Sequence, residues 1–431
     1  VRRIAAGGRV RYNGPVATRT VVVVGGGVIG TACAYYLSKA GWQVTLADKG
    51  RHGAGCSHAN CGYVSPSHVL PLAVPGAFRT AIWSLFQRDS AFAVRPRFDP
   101  TLWGWLLRFA ARCNKKDMLA AGRGISTLLN SSRALYDQLL REEPIDCEWQ
   151  TRGILFVFRT QPAMGHYAET NKLLSDSFNM PARRYDGEAL NALEPALKPG
   201  LAGGWLYEGD AHLRADRLLY AWRRVLEGRG VVVREDCEIT GFATSGGTAR
   251  AALTPQGELP ADAFVVAAGA WTPFLNRHLG CKIPIQPGKG YSITMPRPAR
   301  CPTYPLLFEE HHVAITPMRS GYRIGSTMEF AGYDTTLNHR RLQMLRDGAS
   351  LYLHEPFAEP VEEEWFGWRP MTYDSLPVID RSPALANVHV AAGHNMLGLS
   401  MATATGKLVA EMLSGQTPHV DPGPYSVGRF G

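Results

Sequence analysis

The stretch TVVVVGGGVIGTACAYYLSKAGWQVTLAD, running from Thr20 to Asp48, constrains the fold more than any other part of the chain. An unbroken valine run is the pattern of a strand buried on both faces, as in a parallel sheet. The glycine cluster predicts a tight turn, the segment after it a helix, and Gln43 to Ala47 a second strand. Within that βαβ unit the glycines fall as Gly25-x-Gly27-x-x-Gly30. The first permits the turn, the second lets backbone approach a pyrophosphate, and the third allows close helix–strand packing. The helix N-terminus at Val28 and Ile29 supplies free N–H donors and the positive end of a dipole. The second strand ends at Asp48, placed to accept hydrogen bonds from a ribose, with Lys49 beside it.

Both NAD and FAD use this fingerprint, so more distant segments must discriminate between them. The loop GAGCSHANCG, Gly53 to Gly62, is a second glycine-rich run after the βαβ unit; Ser57, Asn60, Cys61 and Gly62 are its candidate cofactor contacts. A buried strand within DAFVVAAGAWTPFL ends at Ala268 and Gly269. The segment NVHVAAGHNMLGLSMATATGKLVAEML gives a strand, a loop from Gly393 through Leu397 to Gly398, and a closing helix. The start of that helix would face a flavin pyrimidine, where negative charge grows on reduction. Such dispersed contacts suit an extended FAD better than a compact NAD site. The expected architecture is therefore α/β: a split Rossmann-type FAD-binding domain and a second α+β substrate domain on a mixed β-sheet.

On this reading residues 19–66, 206–281 and 365–415 form the FAD-binding domain, and 67–205 with 282–364 the substrate domain. Residues 416–431 make a C-terminal tail. Residues 1–18 read as a flexible leader; the first nineteen residues carry five arginines and no acid, without the apolar run of a secretory signal. Helices are expected near Thr101–Cys113, Ala120–Arg141 and Asn338–Leu353, with strands at Ile283–Met295, Val313–Pro317 and Tyr322–Thr327. Asp210-Ala-His212 is expected to open a helix, with Asp210 as its cap.

The net charge of +9 suits an anionic dinucleotide, an anionic substrate or an acidic membrane surface. Nothing in the chain has the pattern of a nucleic-acid-binding module. No run of apolar residues is long enough for a membrane span. The eight cysteines lack a CxxC pair or a Cys/His cluster, so no metal site is expected, and reduced thiols in a cytoplasmic protein are. The segment 102–116, LWGWLLRFAARCNKK, gathers Leu102, Trp103, Trp105, Leu106, Phe109 and Cys113 beside four basic residues. It can bury that face in the second domain or rest on the inner face of a membrane, where a quinone would accept electrons.

These segments together resemble the D-amino-acid oxidase superfamily of flavoproteins, and within it the bacterial D-amino-acid dehydrogenases. The resemblance is carried by GGGVIGTACAYYLSKAG, Ser57-x-Ala-Asn60 with Gly62 to Pro66, VVAAGAW at 265–271 and PGKGY at 287–291. IGSTMEFAG at 324–332, WRPM at 368–371 and Gly393-His394 with Leu397-Gly398 extend it to nearly the whole chain. His58 departs from it, since those dehydrogenases usually carry an aromatic residue there. Some relatives attach flavin covalently, which draws attention to His58, Cys56 and Cys61; a noncovalent flavin is the expectation.

The resemblance implies hydride transfer from the α-carbon of an amino acid to flavin N5, leaving an imine that water hydrolyses to a 2-oxo acid. Electrons would pass to a quinone or another carrier. It also implies that Arg369 binds the substrate carboxylate, for which a guanidinium fork is suited; a structural salt bridge to Glu362–Glu364 or Asp374 is the competing role. Tyr291 and His394 are the other candidate catalytic residues, with His312 and Tyr333 as further pocket candidates. A hydroxyproline dehydrogenase, a glycine- or sarcosine-type oxidase, and a flavin-bearing subunit of a heteromeric complex are the alternative functions. Oligomeric state is not legible.

Overall fold

A computed structural model describes residues 19–77, 92–95 and 97–430; the expected leader at 1–18 lies outside them. Thr20–Val24 is central in a six-stranded sheet whose order is Val378–Arg381, Val388–Ala392, Ala263–Val266, Thr20–Val24, Gln43–Ala47, Val232–Arg234. All neighbours are parallel except the edge strand Val378–Arg381. Val21 to Val24 are all buried, which accounts for the uninterrupted valine run.

Helix Val28–Lys39 packs against the closing helix Gly398–Ser414 through small residues. A Cβ on Gly406 would come within 2.5 Å of the Ala32 backbone. Helix Lys115–Glu142 lies against the closing helix, where the Ser132 and Thr403 hydroxyls share a buried hydrogen bond of 2.7 Å. Hydroxyls in an otherwise apolar helix contact thus satisfy one another.

The second large sheet is mixed and nine-stranded, in the order Glu363–Met371, Gln286–Met295, Tyr322–Phe330, Val313–Pro317, Leu306–Phe308, Ile154–Phe158, Gly203–Tyr207, Arg183–Asp186; Phe92–Val94 also pairs with Tyr322–Phe330. Glu363–Met371 is antiparallel to Gln286–Met295 along its length, with Gly288 opposite Arg369 and Gly290 opposite Gly367. Helix His339–Ser350 covers one face, burying Leu342 and Leu345. The fold is thus α/β, a parallel nucleotide-type sheet joined to a mixed sheet.

Helix Pro100–Arg112 starts at Asp99, whose carboxylate accepts from the Thr101 and Leu102 N–H groups. Its buried residues Leu102, Trp105, Leu106 and Phe109 follow helical spacing, and the Trp105 and Phe109 rings stack at 5.3 Å. Trp103 does not share that face: it is 42% exposed, and its indole donates to the Arg97 carbonyl. No described helix is long and apolar enough to cross a membrane.

Asp210 does not cap a helix. Ala211–His212 pairs with Tyr63–Val64 as a two-stranded ribbon, and the helix begins only at Ala215. The Asp210 carboxylate instead accepts from the Ser67 N–H and hydroxyl at 3.0 and 2.5 Å. Burial pushes its pKa up to about 7, a structural acid inside the protein.

Candidate functional site

The C-terminal ends of four parallel strands open on one cavity of about 790 Å³; Val24, Ala47, Ala267 and Ala392 line it. The carboxyl edge of such a sheet is the general location for nucleotide ligands. The turn after the first strand has the conformation the glycine spacing requires. Gly25 has φ +106, and a Cβ there would sit 2.5 Å from the Ala267 carbonyl oxygen. Gly30 is tighter still: its Cβ would fall 1.8 Å from the Gly25 oxygen, so the third glycine packs chiefly against the turn itself. At Gly27 a Cβ would meet only Ser57 Oγ at 3.4 Å, and Gly27 lines the cavity.

Two helices begin at this cavity, Val28–Lys39 after Gly27 and Gly398–Ser414 after Leu397; neither N-cap residue supplies a side-chain cap, and in the first only the Val28 N–H is taken, by Ser57. Val28, Ile29, Gly398 and Leu399 all line it. Uncapped helix starts leave N–H donors and positive partial charge for a ligand. Trp368 also lines the cavity with a buried indole N–H that has no partner. The donor set fits an elongated, anionic, hydrogen-bond-accepting ligand, and FAD meets that description: the first helix start would hold its pyrophosphate and the second its flavin pyrimidine.

Asp48 closes the turn as well as lining the cavity. Its carboxylate accepts from the Gly26 N–H at 2.6 Å and the Gly50 N–H at 2.8 Å, leaving further lone pairs for a ribose. Ser57 Oγ accepts from the Val28 N–H at 3.1 Å, tying the second glycine-rich loop to the first helix. Asn60 holds that loop by accepting from the Gly62 N–H, and both Ser57 and Asn60 line the cavity.

On the far wall Arg369 projects from Glu363–Met371. Its guanidinium lies where a Gly290 side chain would be, within 2.5 Å of an imagined Cβ, so Gly290 makes the room. Nη1 donates to the Thr327 carbonyl at 2.6 Å. Thr327 has φ +52 and Ser326 φ +113, at a bulge where the register with Gln286–Met295 shifts. Among the described residues no carboxylate lies within ion-pair range of Arg369. Glu363 pairs with His58, Glu364 with Arg346, and Asp374 with Arg429, which removes those acids as structural partners. Burial pushes the Arg369 pKa down from its ordinary value, opposed by the Cys56 and Cys61 thiols. A guanidinium stays protonated even so, leaving an unneutralised cation in the cavity wall.

Residues 20–412 match the family described as FAD dependent oxidoreductase, DAO. The chain belongs to the DAO family of FAD-dependent oxidoreductases. The D-amino acid dehydrogenase of Granulibacter bethesdensis is 34% identical over 420 residues, covering 95% of this chain and 99% of that protein. The D-amino acid dehydrogenase of Phenylobacterium zucineum is 35% identical over 415 residues, 94% and 96% of the two chains. Among solved structures, glycine oxidase from Geobacillus kaustophilus superposes with a TM-score of 0.77 at 23% identity, covering 95% of this chain and 99% of that one. L-proline dehydrogenase from P. horikoshii gives 0.72 at 20% identity, covering 96% and 98%.

Within this DAO-family site the candidate residues separate into two groups. Gly25, Gly27, Val28, Ile29, Asp48, Lys49, Ser57, Asn60, Ala268, Gly269, Arg369, His394 and Gly398 line the cavity. Gly30, Gly62 and Gly393 stand behind the wall as backbone positions; Gly62 and Gly393 have φ +80 and +74. Cys61 and Leu397 also stand behind it, Leu397 as the residue preceding the last helix. Tyr291 is not on the cavity. It is 2% exposed in the core beneath the large sheet, and its hydroxyl donates to Glu329 at 2.7 Å. Alternation along the strand accounts for this, since Tyr291 and Gly290 face opposite sides of the sheet. His312 does not line the cavity either. His394 lines it, but burial lowers its pKa to about 3, and its Nε2 shares a 3.0 Å hydrogen bond with the Thr405 hydroxyl. It is a neutral imidazole across the working pH range.

Several lining residues carried no assigned role in the sequence reading: Trp271, Phe274, Trp368, Asn395 and the acid Glu238. Trp271 and Trp368 fall inside the recurrent motifs AAGAW and WRPM, a signal that marks the positions without revealing that the two rings meet. They do so edge-on at 5.4 Å.

Cys56 lines the cavity and His58 does not. Burial pushes the Cys56 thiol up to about 11, leaving little thiolate for bonding to a flavin. FAD is therefore expected to be noncovalent, and acid precipitation should release all yellow colour into the supernatant. Colour retained in the pellet would overturn this and point to Cys56.

Proposed function

We propose that the chain oxidises a small amino acid, a D-amino acid as the preferred class, to a 2-oxo acid and ammonia. The observation that carries this reading is Arg369: a cation in the cavity wall whose fork is engaged by one backbone carbonyl and, among the described residues, by no acid. A substrate carboxylate supplies the missing counter-charge, and the fork fixes its orientation. FAD bound in the cavity supplies the hydride acceptor at N5, and a quinone or another carrier would then take the electrons.

The protein residues orient the substrate and exclude water. Arg369 holds the carboxylate, while the close approach allowed by Gly290 and the Thr327 carbonyl limits its rotamers. Positioning of this kind supplies much of the catalysis when the chemistry needs few proton transfers. The described cavity-lining carboxylates are Asp48 and Glu238, and both lie in the surroundings of Lys49, at the nucleotide end. Burial lowers the His394 pKa to about 3, which makes its neutral imidazole a poor proton acceptor. The substrate amine must therefore bind already deprotonated, since its lone pair is what forms the imine.

That requirement fixes a pH dependence. Lower pH protonates the amine, so kcat/KM should rise roughly tenfold per pH unit until the amine pKa of the substrate is reached. A plateau beginning near pH 5–6 would instead reveal a protein base. The function itself is tested by anaerobic flavin bleaching over D- and L-amino acids, prolines and N-methyl amines. Bleaching by D-amino acids is the expected result; bleaching by none of these substrates would overturn the reading. Peroxide formation in air would move the assignment from dehydrogenase to oxidase.

A further inference from the structure

The cavity mouth is crossed by a contact between the two large sheets. After Phe330 the chain leaves the mixed sheet in a loop that returns at helix His339–Ser350. Tyr333 on that loop donates its hydroxyl to the Ala270 carbonyl at 2.6 Å. Ala270 lies in the turn following Ala263–Val266 of the parallel sheet. The Tyr333 ring is 5.2 Å from Phe274, 6.1 Å from Trp368 and 6.4 Å from Trp271. Lys49 places its ammonium 3.9 Å over the Trp271 ring. All five of these side chains line the cavity. Lys49 directly follows the acid that closes the glycine turn, so this cluster reaches the nucleotide end of the cavity, while its Trp368 adjoins Arg369.

The loop is held firmly from behind. Arg95 pairs with Asp334 at 2.7 Å, and Asp334 accepts from the Thr336 N–H and hydroxyl. The Lys289 ammonium, fully buried and 4.2 Å over the Phe366 ring, donates to the Thr336 carbonyl. A buried lysine is costly unless its charge is satisfied, and here the donation fixes the loop that carries Tyr333. Gly332, with φ +67, precedes Tyr333 and gives the backbone a place to turn.

We propose that Tyr333 is a latch that retains FAD: a residue of the mixed sheet bridging to Ala270 across the nucleotide half of the cleft, so that the cofactor leaves only when this contact opens. The inference rests on FAD occupying the cavity and is independent of which amino acid is oxidised. Tyr333→Phe removes one hydrogen bond and keeps the ring packing. It should raise the FAD dissociation rate roughly 2- to 10-fold, as for a single net hydrogen bond. Tyr333→Ala also removes the ring contacts and should raise it a further ~2- to 10-fold.

The rate is read from the rise of free FAD fluorescence after holoprotein is diluted far below its FAD dissociation constant. Substrate KM is measured in parallel at saturating FAD. Faster flavin loss with KM unchanged is the expected result. An unchanged dissociation rate in Tyr333→Phe overturns the proposal, as does a change confined to KM, which would make Tyr333 a substrate-gate residue. Failure of amino-acid bleaching leaves the dissociation assay intact, so the two readings fail separately.

Discussion

Arg369→Ala is expected to lower kcat/KM by roughly 30-fold to a few thousand-fold on the best amino-acid substrate while leaving FAD content normal. The range follows from deleting one partner of a charge-assisted bidentate pair in a closed site, about 2–5 kcal/mol. In this protein the loss falls on substrate binding because no acid among the described residues pairs with Arg369; the variant also gives up the hydrogen bond to the Thr327 carbonyl. Arg369→Lys should recover only part of the activity, since an ammonium cannot reproduce the fork. Gly290→Ala should mimic the defect without touching the charge, because its methyl group would displace the guanidinium. Wild-type kinetics in Arg369→Ala would place the carboxylate anchor elsewhere. Loss of flavin in that variant would show that the residue maintains the fold.

The glycines of the first turn should separate into two classes when substituted. Gly27→Val should fold and lose FAD, because a Cβ there meets only Ser57 Oγ within the protein and the methyl groups beyond it would enter the cavity that the cofactor would occupy. Displacing a pyrophosphate from several backbone N–H groups at about 1.5–3 kcal/mol each predicts weakening on the order of 100-fold or more. Gly30→Ala should instead destabilise the apoprotein by about 3 kcal/mol or more, since the methyl group would lie 1.8 Å from the Gly25 oxygen and backbone cannot easily give way. Flavin titration and thermal melting of the two apoproteins distinguish these outcomes. Equal melting temperatures, or FAD retained by Gly27→Val, would show that the turn acts differently.

The sequence by itself carried the nucleotide end of this molecule, because its signals are local. Gly30 answers to the Gly25 carbonyl five residues away, and each strand's burial is written in its own valines; Gly25 is the exception, since the backbone it must clear is that of Ala267 on a distant strand. Segment boundaries were also largely legible: the strand expected at Val313–Pro317 has those bounds, and the helix expected near Thr101–Cys113 spans Pro100–Arg112. The alternative roles around Arg369 could not be resolved that way. Asp374 lies only five residues from Arg369, yet it pairs with Arg429 in the C-terminal segment, and Glu363 with His58 from the glycine-rich loop.

Tertiary structure also decided which side of a strand counts. Tyr291 sits in a recurrent motif next to Gly290, but the pleat sends its side chain into the core while Gly290 faces the site. Asp210 has the identity of a helix cap, but folding brings to it the N–H and hydroxyl of Ser67, far away in sequence, and it is a buried acid instead. The cavity mouth is wholly a product of folding, since Lys49, Trp271, Tyr333 and Trp368 come from four separate segments. Local conformation is governed by neighbours along the chain and can be read from them. Charge pairing, burial and ring contacts are governed by neighbours in space, and those exist only once the two sheets have met.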